Sequence, residues 1–99
     1  MKHYMIDITL PQYYDEGFNE KVPEQIEMID DLMEEELIVS WSLSLDQSKA
    51  WIIAVGDSEE EIVDLLVDFP LLSYFKYSIH QLSLFNTFKN TDIPPFSLN

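Results

Sequence analysis

The apolar residues of this chain recur with two different periods, and the order in which those periods alternate leaves few folds open. Tyr4, Ile6, Ile8 and Leu10 stand at every second position, with Met5, Asp7 and Thr9 between them. Successive side chains of a strand point to opposite faces, so this is a half-buried β-strand, and Pro11 ends it. Residues 11–19, PQYYDEGFN, hold a proline and a glycine and form a connection with aromatic anchors. The period then changes. Val22, Ile26, Ile29, Met33 and Leu37 recur at helical spacing with Leu32 beside them, while Glu20, Glu24, Glu27, Asp31 and Glu34 fall opposite. Proline is tolerated in a first helical turn, so this amphipathic helix is expected to begin close to Pro23.

Period two returns in VSWSLSL, residues 39–45. A second strand from about Ile38 to Leu45 puts Val39, Trp41, Leu43 and Leu45 on one face and Ser40, Ser42 and Ser44 on the other. Asp46-Gln47-Ser48-Lys49 supplies the polar turn of a hairpin into a third strand, Ala50 to Val55. Ser58 followed by Glu61 matches a capping box. Ile62, Leu65, Leu66 and Phe69 then form one face of a short helix that Pro70 stops. Residues from about Phe75 to Phe85 read as a fourth strand. Residues 1–87 make one domain, and 88–99, with Phe88, Ile93, Phe96, Leu98 and Pro94-Pro95, a tail expected to lie across a neighbouring subunit.

The order βαββαβ is that of a ferredoxin-like α+β domain, a four-stranded antiparallel sheet of order 4-1-3-2 with both helices on one face. The helix-free face then carries Met5, Asp7, Thr9, the three serines, Ser78 and His80. Its neighbour is water, a ligand or a second subunit.

Ninety-nine residues with 46% apolar content suffice for a single core. Nineteen acids against five bases give a formal charge of −14, a field that repels phosphate backbones and anionic lipid. Neither nucleic acid nor a membrane is an expected partner. Sixteen of those acids fall in residues 15–36 and 57–68, where they form the solvated faces of the two helical regions. There is no cysteine, hence no disulfide and no thiolate ligand or nucleophile, and a reducing cytoplasm is the expected compartment. The segment MKHYMIDITL carries Asp7 within its apolar run and does not read as a signal peptide. No apolar run approaches the roughly 20 residues that cross a bilayer.

The stretch LLVDFPLLSYFKYSIHQL, residues 65–82, resembles the corresponding segment of the muconolactone delta-isomerase family. There an apolar helix end runs into a Leu-Pro-Leu-Phe-Pro-Tyr type of turn and then the last strand. Phe69-Pro70-Leu71-Leu72-Ser73-Tyr74 stands in that place here, and Thr9-Leu10-Pro11 is similar to the family's Leu-Pro exit from the first strand. The resemblance implies a dimeric α+β barrel, two sheets packed face to face, with dimers building larger rings. It also implies a cofactor-free proton shift that moves a double bond in a small lactone. The chain departs from the family in its second strand. Ser40, Ser42 and Ser44 stand where Arg and His interleave with Trp, only Trp41 is kept, and the chain has no arginine. A hydroxyl does not replace a guanidinium fork on a carboxylate.

Two groups of residues are candidates for chemistry. His80 and Asp7 are assigned to adjacent strands on the helix-free face, where a carboxylate orients an imidazole as general base; a polar cross-strand pair under a dimer interface is the structural alternative. Tyr4, Trp41, Trp51, Tyr74 and Tyr77 are candidates to line an aromatic ligand pocket between sheet and helices, or else fill the core. His3 and His80 show no metal-ligand spacing, and Gly17 and Gly56 make no phosphate cradle, so no metal or cofactor is expected. Two functions follow: an isomerase-like enzyme acting by proton transfer on a small lactone or unsaturated carbonyl compound, or a non-catalytic small-ligand binder or oligomeric scaffold of the same fold.

Overall fold

The computed structural model describes residues 1–83, 85–86 and 91–92. Its main elements are β1 (Lys2–Thr9), α1 (Glu16–Glu34), β2 (Ile38–Leu43), β3 (Lys49–Gly56), α2 (Glu59–Leu66) and β4 (Lys76–Leu82). The four strands form one antiparallel sheet of order β2-β3-β1-β4, and the chain is ferredoxin-like α+β. Two short strands, β5 (Phe85–Asn86) and β6 (Thr91–Asp92), pair with each other. The fourth strand therefore stops three residues short of Phe85, and Phe88, Ile93, Phe96 and Leu98 of the tail lie outside the described residues.

Tyr4, Ile6 and Ile8 of β1 meet Ile38 of β2, Ile52 and Ala54 of β3, Ile29 of α1 and Ile62 and Leu66 of α2 in one buried cluster. Both helices thus cover the same face. The strand alternation of β1 is realised as read, but β2 contains a bulge between Ile38 and Ser40. The extra residue lets Ile38 and Trp41 both face the helices although they are three apart. Ile38, not Val39, takes the buried position.

Helix α1 begins seven residues before Pro23, not at it. Asp15 caps it, its Oδ1 accepting from the Phe18 N–H at 2.8 Å. Phe18 then stacks on Tyr14 (4.4 Å between centroids) and meets Tyr74 edge-on (5.5 Å). A capped and anchored first turn outweighs an interior proline, which forfeits one main-chain hydrogen bond. The buried stripe is Phe18, Gln25 and Ile29, with Val22, Met28 and Leu32 half-buried, while Ile26 and Met33 are exposed. The apolar face is rotated from the expected one because a polar residue, Gln25, sits at its centre.

The C-terminus of α1 closes by a Schellman arrangement. The Leu37 N–H donates to the Leu32 carbonyl (2.9 Å) and the Glu36 N–H to the Met33 carbonyl (3.1 Å), with Glu36 at φ 62°. At α2, the Ser58 hydroxyl accepts from the Glu61 N–H (3.3 Å), while the Glu61 carboxylate accepts from the Asp57 N–H (2.8 Å), one residue earlier than in the standard capping box.

Candidate functional site

Between α1 and the helix-facing side of β3 and β2 lies a cavity of about 320 Å³. Ile8, Ala50 and Ile52 form its floor, Phe18, Val22, Gln25 and Ile29 its roof, and Phe69, Leu71 and Phe75 its inner end. The mouth opens at the β2 edge, where Trp41 and Leu43 also line it and remain 40% and 47% exposed. β2 is an edge strand, and among the described residues no strand lies beyond it. Among the described residues none that lines it is charged.

One corner of the mouth is tied shut. The Tyr14 hydroxyl donates to the Gln47 carbonyl at 2.5 Å, joining the connection before α1 to the β2–β3 hairpin. The Leu10 N–H donates to the Ser48 carbonyl (2.9 Å) in the same place. Desolvation, and secondarily the negative charge of Asp46, raises the Tyr14 pKa. The hairpin turn is held by Asp46, whose Oδ1 accepts from the Ser48 hydroxyl (2.7 Å), the Ser48 N–H (3.0 Å) and the Ser44 hydroxyl (2.8 Å). These bonds, those of Ser48 first, hold its carboxyl down to about 2.

Ser44 is consequently a turn residue. Its oxygen also accepts from the Lys49 N–H (3.0 Å), and β2 ends at Leu43. The expected row of three serines is a pair, Ser40 and Ser42, opposite Ile53 and Trp51 on the helix-free face.

On that face the β1–β4 register sets Met5 opposite His80 and Asp7 opposite Ser78. His80 and Asp7 share the face but are diagonal, and each has another partner. Asp7 is ion-paired with Lys49 of β3, and His80 Nε2 lies 3.1 Å from the Ser78 hydroxyl. The Lys49 ammonium, which also donates to Thr9 Oγ1 (3.0 Å), draws the carboxylate toward β3 and away from β4. The imidazole and the carboxylate are not joined.

The five aromatic candidates are dispersed. Trp41 lines the cavity. Tyr4 is buried in the core, opposite Ala54. Tyr74 packs on Phe18 and under the Lys21 ammonium (5.6 Å to the ring centroid), its hydroxyl over Gly17, where a Cβ would approach it to 2.6 Å. Tyr77 is on the helix-facing side of β4, opposite Ile8, edge-on to Phe75 (6.4 Å). Trp51 lies on the helix-free face. Among the cavity residues the sequence did not single out are Tyr14, Phe18, Asn19, Gln25 and Gln47. The spacing Phe18, Val22, Gln25, Ile29, Leu32 carries the signal, masked by the amide at its middle position.

Among the described residues no three His, Asp or Glu side chains converge as metal ligands, and no helix is long and apolar enough to cross a membrane. Compared with known proteins, the chain matches no family model and no curated sequence.

Proposed function

We propose that this chain is a homodimeric small-ligand-binding protein whose cavity between α1 and the sheet takes a neutral, mostly apolar molecule. The observation that carries this reading is an uncharged cavity of about 320 Å³ that opens to solvent beside Trp41. Its volume is within the range of small-molecule sites, about 300–1,000 Å³. An anion entering it would meet the field of a chain of charge −14 and no counter-charge in the walls. The test is thermal unfolding against a panel of neutral ring compounds. A ligand at 100 times its Kd adds about 2.7 kcal/mol. Ala50→Leu, which fills the floor, should abolish the shift while the variant still folds; equal binding by that variant would remove the cavity as the site.

The second copy is assigned to the helix-free face. Met5, Trp51 and Ile53 are half-buried there, flanked by Ser40 and Ser42, and the face bears Asp7 against Lys49 and Lys76. Most of the carboxylates lie elsewhere, so two such faces approach without repulsion, and small hydroxyls permit close sheet packing. Sedimentation at micromolar concentration should give a dimer that Trp51→Glu dissociates; a monomeric wild-type chain would end this reading.

A proton-shifting isomerase is the second reading, supported by His80, Ser78 and Asp7 on the same face. A second copy over that face would give them the enclosure that acid–base chemistry needs. Deuterium uptake from solvent at a carbon of a bound compound, lost in His80→Gln, would favour the enzyme; binding without uptake favours the binder.

A further inference from the structure

The sheet ends on one side in β2 and on the other in β4. β4 carries Lys76, a charge of the kind that keeps an edge strand from pairing with a neighbour. β2 has no such guard. Residues 37–45, LIVSWSLSL, hold no charge and no proline, in a chain of charge −14 whose acids resume on either side at Glu36 and Asp46. The bulge between Ile38 and Ser40 lies at the start of the strand and leaves residues 40–43 in regular register with β3. The Ser44 N–H donates to the Lys49 carbonyl (2.8 Å). By the alternation of an antiparallel ladder, the main chain of Ser40 and Ser42 then also points into the sheet, and that of Trp41 and Leu43 points out of it. The side chains of Trp41 and Leu43 are exposed too, and Leu45 beyond them is wholly so.

An edge with outward donors and acceptors, large apolar side chains and no charge is a template for another strand. We propose that the strand it takes is β2 of a further copy of this chain, antiparallel about a two-fold axis at Ser42, so that two sheets become one of eight strands. About that axis Trp41 stands opposite the partner's Leu43, and Leu43 opposite the partner's Trp41. These are the residues whose main chain points outward, so each pair exchanges both its hydrogen bonds while large apolar side chains meet on the helix-facing side. Ser42 meets its own copy on the other side, where opposed side chains come closest and a hydroxyl fits. Such self-complementarity is what a two-fold contact requires. A basic partner, which the field of the chain attracts, finds no carboxylate within residues 37–45, whereas two uncharged strips meet with the distant acids of both chains screened. Trp41 and Leu43 also line the cavity mouth, which the further copy therefore borders. The contact goes beyond the ligand-binding reading and does not rest on it. So short a strip buries less than the roughly 1,200 Å² of stable complexes, and it fills only above micromolar protein, where the helix-free face is already paired.

The chain has no cysteine, so a single introduced thiol reports on the pairing. Ser42 is exposed, and Ser42→Cys places two sulfurs at a non-hydrogen-bonded pair. The Cα atoms of such a pair lie about 4.5 Å apart, within the roughly 4.4–6.8 Å that a disulfide spans. Ser40→Cys is the control, because the same axis offsets its two copies by four residues, about 13 Å along the strands. Under mild oxidation at millimolar protein, Ser42→Cys should give a linked dimer and Ser40→Cys should stay largely reduced. A second measurement uses the wild-type chain alone. The Trp41 and Leu43 amides should exchange hydrogen severalfold more slowly at millimolar than at micromolar protein, while those of Ser40 and Ser42, bonded within the sheet, stay unchanged. Face-to-face packing produces neither signal, since packed sheets lie about 10 Å apart and leave edge amides open. Equal linkage of both thiols, linkage of neither, or edge amides that exchange independently of concentration would overturn the edge pairing and leave the face contact and the cavity standing.

Discussion

Glu36 holds φ at 62°, a region where a side chain costs about 1–2 kcal/mol and glycine nothing. It does so because Leu37 must return its N–H to Leu32 to close the helix. Glu36→Gly keeps both terminal bonds, removes the strain and deletes a carboxylate from the negative end of the helix. Allowing for the extra freedom of glycine in the unfolded chain, a gain of about 1 kcal/mol is expected, read from the urea midpoint. Asp46 gives a pH signature. Its carboxyl falls from an ordinary 3.8 to about 2 in the folded chain, so its contribution is complete above about pH 5 and disappears as pH falls through 2. The stability difference between the wild-type chain and Asp46→Asn should be flat above pH 5 and narrow between pH 4 and 2. A difference independent of pH across that range would show that the turn does not depend on the charge.

At the scale of elements, β1 was legible to within two residues from its period-two alternation, and β3 to within one from the hairpin turn before it and Gly56 after it. Helix α2 was legible at its start from Ser58 and Glu61, but it ends at Leu66 with Val67 as its C-cap, so Phe69 lies beyond the helix and Pro70 is not what stops it. For α1 the sequence points to a start at Pro23, whereas Asp15 and the Tyr14–Phe18 stack initiate the helix earlier. Pro23→Ala should then restore the missing bond to Asn19 and stabilise by about 2 kcal/mol, with helicity rising in far-ultraviolet dichroism. If instead the variant loses stability, proline's restriction of the unfolded chain outweighs the lost bond. The bulge at Val39 could not be read, since an inserted residue leaves local composition unchanged. The placement of Ser44 in the turn hid behind the same alternation that defined the strand.

At the scale of the whole molecule, strand order and the single helix-covered face followed from element order, and with them the grouping of Asp7, Ser78 and His80 on one surface. Which of these groups touch did not follow. Contact across a sheet depends on diagonal neighbours and on competing cations such as Lys49. The cavity was also illegible, because it lies between α1 and the sheet beside the edge strand β2 and is lined by residues far apart in sequence. Such a gap exists only once the layers are assembled. The bond from Tyr14 to Gln47 spans 33 positions of sequence and belongs to this scale too. It fastens a corner of the entrance through a hydroxyl, while the Tyr14 ring remains part of the wall, so how tightly a guest is held and how long it stays depend on different atoms. Tyr14→Phe should speed entry and escape together in stopped-flow fluorescence while leaving the equilibrium constant nearly unchanged, which would make residence time a property the chain can alter without altering what it chooses to carry.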